Sequence, residues 1–425
     1  MKLKLLTIGF LLSTIICCKQ SDKNTSHQIV EKHTNEIFDS LVKIRRDLHI
    51  HPEMAGQEKR TSKIIQEYLT GLGLEVRTGI AGNAVVGILN GDKKGRKIAW
   101  RADMDAIKND DTDKVNFKSQ NVGIGHMCGH DVHTTIGLGI ANVLSNQKEN
   151  LEGTIYFIFQ PSEETFTGAM DMVENGLFDI IKPDEIYGLH IFPSESGIIS
   201  TKPNELFAYE KTVQIKFEPE TNEEELKSFL KNTLEDFVRN TPNSSPWSLD
   251  YITDPKLGLE SRETIYNDYF FLQPNIRLTK NQNSTSFEAT FFETSKEKID
   301  SIPIQIKKQI LNSKYKDSFI SIEYSRGNPT VLNHPELTKT ALQTIGSLYN
   351  NELIKPIYGQ VPYFNEDFIY FQQKVPGVLF FLGGSNIKKG LISMPHSPDF
   401  AVDEETIKYG VKYFSSLLVE RVNNR

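Results

Sequence analysis

Cysteine is scarce in this chain: there are three in 425 residues, at Cys17, Cys18 and Cys128. Long basic runs are missing too, and the net charge is a modest −7, so nucleic-acid binding has no support. The apolar stretch at residues 5–16 is well short of the roughly 20 residues that cross a bilayer. Internal repeats and low-complexity tracts are absent as well. What is present is ordinary for a soluble globular protein: 38% hydrophobic and 24% charged residues, enough to build a real core. The length suggests two domains.

The chain begins MKLKLLTIGFLLSTIICCKQSDKN. Lys2 and Lys4 precede the short apolar run, and the cysteine pair follows it at once. This pattern resembles a bacterial lipoprotein signal, in which the first mature residue is a lipidated cysteine. Residues 1–18 are the expected signal, with Cys18 a better fit than Cys17 for the lipid, and 19–36 the expected tether. An uncleaved short anchor is the plain alternative. The expected location is the bacterial cell envelope, with membrane contact only through the lipid, or simple secretion. With Cys18 acylated, Cys128 is the single free thiol and no disulfide framework can form. An unpaired thiol in an oxidising compartment invites oxidation, from which coordination to a metal would protect it.

Helix and strand signals alternate over residues 37–207. RTSKIIQEYLTGLG carries Ile64, Ile65, Tyr68, Leu69 and Leu72 at helical spacing. AVVGIL, KIAWRAD, GTIYFIFQ and EIYGLHIF read as buried strands, and TTIGLGIANVLSNQ as an apolar helix. The alternation predicts an α/β fold with a mostly parallel sheet sandwiched by helices. Over 208–326 the texture becomes more polar. KTVQIKFE, NEEELKSFLKNTLEDFVRN, YFFLQPNIRLT, STSFEATFFET, KEKIDSIPIQIKKQIL and FISIEYS read as β-α-β-β-α-β, a ferredoxin-like α+β unit. The first texture returns over 327–425, so the smaller domain is inserted in the larger one.

Polar clusters sit where predicted strands end, the place where open α/β sheets build their sites. WRADMDA gives Asp103 and Asp105, FQPSEE gives Glu163 and Glu164, GLHIFP gives His190 and SMPHSPDF gives His396. GHMCGHDVH adds Cys128, His130 and His133. Thiolate, imidazole and carboxylate together suit a hydrolytic metal site, and a further carboxylate could serve as base. Each piece alone has a plainer explanation. Cys128 can be a buried filler or a nucleophile. Asp103 and Asp105 can cap turns. A glutamate pair often lies on a solvated face, and a lone histidine such as His49 is usually a packing or surface residue.

RRDLHIHPE, WRADMDA, GHMCGHDVHTT, GTIYFIFQPSEE, GAMDMVENGLF, YGLHIFP, NEDF with VPGVLFFLGG, and PHSPDFAVDEE run in this order. The chain thereby resembles the N-acyl amino acid amidohydrolases of bacteria and plants, the hippurate hydrolases among them. These belong to the aminoacylase and carboxypeptidase-like metallopeptidases. The resemblance implies two divalent ions per chain, Zn or Mn, held by Cys128, His130, Glu164, His190 and His396, with Glu163 as general base. His133 and Asp105 would orient the ligands. It further implies amide hydrolysis of an N-acyl amino acid or small peptide-like substrate, and a homodimer through the inserted lid or dimerisation domain.

That inserted domain departs from the family. The lid segment with a histidine that polarises the scissile carbonyl has no counterpart in VQIKFEPETNEEEL, and no histidine stands between His190 and His334. Where an arginine is expected to meet the substrate carboxylate, ATFFET places Phe292. Phe292, Phe287 or Phe291 could offer an apolar face there instead, and Arg277 could restore the lost contact. Two readings follow: a metal-dependent amidohydrolase, or a binding or scaffold lipoprotein that kept the fold and lost turnover. A cysteine protease is a third reading, which lacks a partner for Cys128 once His130 holds metal.

Overall fold

The computed structural model describes residues 3–108, 115–219, 222–240, 249–397 and 399–423, and side chains from residue 26 on, those of residues 249 and 250 excepted. The expected lipoprotein signal, with Cys17 and Cys18, lies outside these side chains. Two compact units emerge, Met1–Ser200 with Glu336–Ile354 and Tyr370–Arg425, and Thr201–Pro335 with Lys355–Ile369. The second unit thus reaches beyond the expected 208–326 on both sides and takes in a further segment from within 327–425.

The first unit is built on a seven-stranded sheet in the order Glu75–Thr78, Val85–Asn90, Glu152–Gln160, Lys93–Asp103, Glu185–Glu195, Gly377–Ser385, Ile199–Ser200. The four central strands are mutually parallel, and the outer ones pair antiparallel. Gly377–Ser385 is buried at every residue, which is why it reads as a continuous apolar run rather than an alternation. Helices Leu3–Ile50, His130–Ser145 and Glu405–Asn423 pack on one another. They meet closely at Gly139, where an added Cβ would lie 2.4 Å from Val411 Cγ2 and 2.8 Å from Leu41 Cδ1.

Residues 19–36 do not form a tether throughout. From residue 26 they are packed helix, with Val30 and Thr34 fully buried and His27 Nε2 3.0 Å from the Glu420 carboxylate. Val30, Thr34, Ile37 and Leu41 follow steps of four, three and four, a helical stripe that the polar residues between them mask.

The second unit contains an antiparallel sheet in the order Phe270–Leu272, Thr285–Glu293, Tyr209–Phe217, Phe319–Arg326, with Arg277–Lys280 also paired to Thr285–Glu293. Helices Glu223–Glu235 and Lys296–Leu311 cover its apolar face, which carries Val213, Ile215, Phe287 and Phe291. This is the ferredoxin-like arrangement. YFFLQPNIRLT is not one strand: it breaks over 273–276, where Pro274 has no N–H to give a ladder. Pro303 lies inside helix Lys296–Leu311 and leaves the Ile299 carbonyl without its usual donor. The Tyr324 hydroxyl donates to that carbonyl at 2.7 Å. Phe292 is 2% exposed and packs on Phe271 and Tyr363, so it does not offer a free apolar face. Phe287 and Phe291 are buried beneath the helices.

Candidate metal centre

The first unit gathers Cys128, His130, Glu163, Glu164, His190 and His396 into one pocket of ligand atoms. Three trios have their atoms within 4.8 Å of one another: Cys128, His130 and His190; Cys128, Glu164 and His396; His130, Glu163 and Glu164.

Gly129 makes the first of these possible. Its φ of +93° is open to glycine and strained for other residues, and an added Cβ would lie 3.2 Å from Ile191. The turn there sends Cys128 and, at the first residue of helix His130–Ser145, His130 to the same side. His130 Nδ1 donates to the Asp105 carbonyl at 2.9 Å. Its Nε2 is buried without a hydrogen-bond partner and lies 3.7 Å from Glu163 and 3.8 Å from Glu164. His190 Nδ1 donates to the Ile191 carbonyl at 2.7 Å, which leaves Nε2 facing the Cys128 sulfur at 3.2 Å. Each imidazole therefore turns Nε2 inward, the atom with which it would bind a metal.

Adjacent residues on a strand point to opposite faces, so Glu163 and Glu164 can share a site only off the strand. A short 3-10 turn over Glu163–Thr165 does this, flanked by left-handed Ser162 (φ 57°) and Phe166 (φ 56°). Asp105 holds the turn, accepting the Glu163 N–H at 3.1 Å and the Glu164 N–H at 3.0 Å. His396 sits in a loop whose backbone N–H donates to the Met127 carbonyl at 2.8 Å. Its φ is 60°, its side chain is 53% exposed, and Nε2 is 3.3 Å from Glu164. Both ring nitrogens of His133 are engaged: Nδ1 donates to Asp103 at 2.6 Å and Nε2 accepts the Ile191 N–H at 2.8 Å. It ties the strand carrying His190 to Asp103.

The electrostatics favour cations. Burial disfavours a charged His130, but Asp103, Asp105 and Glu164 outweigh burial and push its pKa up to about 10. Burial opposes ionised Glu164, yet His396 and His130 bring its value down to about 2. Burial, then His133 beside it, lowers His190 to about 3, so it stays neutral. Cys128 is pushed well above the ordinary thiol range by burial and then by Glu164, Glu163 and Asp103. Without a cation the sulfur is a thiol, the opposite of what a catalytic nucleophile needs. The buried orphan on His130 and the thiol among carboxylates both fit a bound divalent ion.

Sequence reasoning passed over two supports. Arg101, fully buried, holds Asp103 at 2.6 Å and Gln160 at 2.7 Å. A charge inside the apolar run KIAWRAD is the signal that could have found it. Asp131 lies between Arg45 at 2.9 Å and His49 at 2.8 Å, all buried, so His49 packs within the unit.

The profile of peptidase family M20/M25/M40 matches residues 99–420, about three quarters of the chain. The chain belongs to this family. Its members are metal-dependent hydrolases of amide and peptide bonds, and this M20 chain is such an enzyme. Thermostable carboxypeptidase 2 of Saccharolobus solfataricus is 32% identical over 93% of this chain and 99% of its own length. The N-acetyldiaminopimelate deacetylase of Lactococcus lactis is 28% identical, covering 90% of this chain and 99% of the relative. The fold matches that of the YxeP protein of Bacillus subtilis, described as a dinuclear metal-binding peptidase, with a TM-score of 0.73 at 23% identity, over 92% of this chain and 100% of that one.

Proposed function

We propose that this M20 hydrolase uses two divalent ions, Zn or Mn, to cleave the amide bond of an N-acyl amino acid or small peptide-like substrate. The observation that carries the reading is that two ligand trios share the Cys128 sulfur. Cys128, His130 and His190 would hold one ion; Cys128, Glu164 and His396 would hold the other. Thiolate with imidazole suits Zn, and the carboxylate also admits Mn. Ions so held supply Lewis acidity, which polarises the scissile carbonyl and lowers the pKa of water.

Glu163 stands apart from these two trios, with its Oε2 3.7 Å from His130 Nε2 and its side chain 6% exposed. It takes the proton from the attacking water and hands it to the departing amine. Asp103 and Asp105 fix the imidazoles and the glutamate turn, so little reorganisation accompanies the reaction. Both a carboxypeptidase and a deacetylase are among its relatives, and either activity requires the same attack on an amide carbonyl.

The test joins elemental analysis to a substrate screen. Reconstituted protein should hold two ions per chain and hydrolyse members of a panel of N-acyl amino acids and dipeptides. Well under one ion per chain, or no turnover with the site loaded, overturns the reading.

A further inference from the structure

Glu58 stands at the N-terminal boundary of helix Lys59–Gly71, where a side chain ordinarily accepts an N–H from the first helical turn. It makes no such bond. Glu53 does that work, accepting the Arg60 N–H at 3.0 Å and the Thr61 N–H at 2.8 Å. The Glu58 carboxylate is freed for another task and is fully buried. Oε1 accepts the N–H groups of Gly56 and Ser162, each at 2.9 Å, and Oε2 accepts Asn83 Nδ2 at 2.9 Å.

Ser162 is the left-handed residue that swings the chain off its strand just before Glu163. A non-glycine residue held there costs about 1 kcal/mol or more, so the surroundings have to impose it. Three successive N–H groups are captured: that of Ser162 by Glu58, those of Glu163 and Glu164 by Asp105. Both clamping carboxylates are buried. Asp105 reaches the two glutamates directly. Glu58 belongs to a different element and touches no ligand, yet it fixes the residue from which the turn is launched.

We propose that Glu58 is a positioning residue for hydrolysis: its carboxylate pins the Ser162 N–H and so sets the direction in which Glu163 meets the reacting water. The inference rests on the reading of Glu163 as the base. The expected effect is therefore on kcat and not on substrate affinity, with metal loading kept by Cys128, His130, His190 and His396, which lie on other segments.

The test uses the metal-loaded full chain with whichever of N-acetyl-L-leucine, N-benzoylglycine and L-leucyl-glycine the wild type turns over fastest. Glu58→Ala should lower kcat about 10- to 100-fold, the scale of a misplacement near 1 Å, with KM and metal content unchanged. Glu58→Gln keeps an acceptor at the Ser162 N–H and should recover most of the rate. Adding Ser162→Gly to Glu58→Ala should restore part of kcat, because glycine adopts the left-handed turn without being forced. Asn83→Ala removes one donor from the carboxylate and should lower kcat severalfold; it decides the matter if Glu58→Ala does not fold. Wild-type kcat in Glu58→Ala or in Asn83→Ala overturns the proposal, as does a loss of metal parallel to the loss of rate. Glu163→Gln is measured alongside: wild-type turnover there sinks the assignment of the base, whereas an inactive Glu163→Gln with an unaffected Glu58→Ala sinks this inference alone.

Discussion

Cys128 and His190 lie 3.2 Å apart, a spacing that a cysteine hydrolase would also show. Their protonation decides between the chemistries. Burial and the carboxylates around it keep the sulfur protonated, and His190 is held neutral by its burial. In metal-free protein, iodoacetamide should therefore alkylate Cys128 far more slowly at neutral pH than it alkylates free cysteine. Fast alkylation of the metal-free protein would restore the nucleophile reading. Glu163 and Glu164 separate by the same kind of argument. Glu163→Gln should keep its ions and lose a factor on the order of 10² to 10⁴ in turnover. Glu164→Gln should lose affinity for metal, measured by competition with a chelator. The candidate ligands were legible because ligand-type residues are few and sit next to recognisable strand ends. Glu58 was not legible: a lone glutamate at a helix start looks like an ordinary capping residue, and only the folded chain shows which N–H it faces.

Among the elements of the inserted unit, helix Lys296–Leu311 contains a defect that strand Phe319–Arg326 repairs. Tyr324→Phe removes the donor to the Ile299 carbonyl and should destabilise the protein by about 1 kcal/mol. Replacing Pro303 by Ala returns an N–H to the helix, so Tyr324→Phe should cost less in that background; thermal melts of the four proteins complete the cycle. In the first unit, Gly139→Val forces a side chain against Val411 and Leu41 and should cost about 1–3 kcal/mol. The position in the insert where the resemblance implies a carboxylate-binding arginine is altered as well. Phe292 is sealed among aromatics, but Arg277 and Arg326 line a 360 Å³ basin with Thr212, Glu288 and Thr290. Matched substrates with free and amidated carboxylates should be hydrolysed at similar rates if no arginine takes the carboxylate. A preference for the free acid that Arg277→Ala abolishes means that the anchor has moved to the basin. The strand and helix order of this unit could be read from period and composition, and Pro274 was a local sign of the break, while the burial of Phe292 depends on neighbours far away in sequence.

For the molecule as a whole, the N-terminal helix is part of the folded unit well before residue 37. A chain shortened to begin at Ile37 loses the burial of Val30, worth about 1.5–3 kcal/mol, and the contact of His27 with Glu420. Its melting temperature should fall below that of a chain shortened to begin at Ser26, and equal values would mean that the segment contributes nothing. We further propose that Cys18 carries lipid; mass spectrometry of the mature N-terminus decides it, and an unmodified terminus means simple secretion. The sequence by itself determined the layer order and the family and pointed to the candidate ligands, because hydrophobic period and ligand-type residues are local properties. It also showed that no histidine lies between His190 and His334 and that Phe292 stands where the resemblance implies an arginine. Only the tertiary structure decided which of those residues converge, because convergence depends on the left-handed turns at Gly129 and Ser162 and on carboxylates donated by other elements. Protonation likewise depends on the fold: burial and neighbouring charge, which no stretch of sequence encodes alone, hold Cys128 as a thiol, keep His190 neutral and raise the pKa of His130.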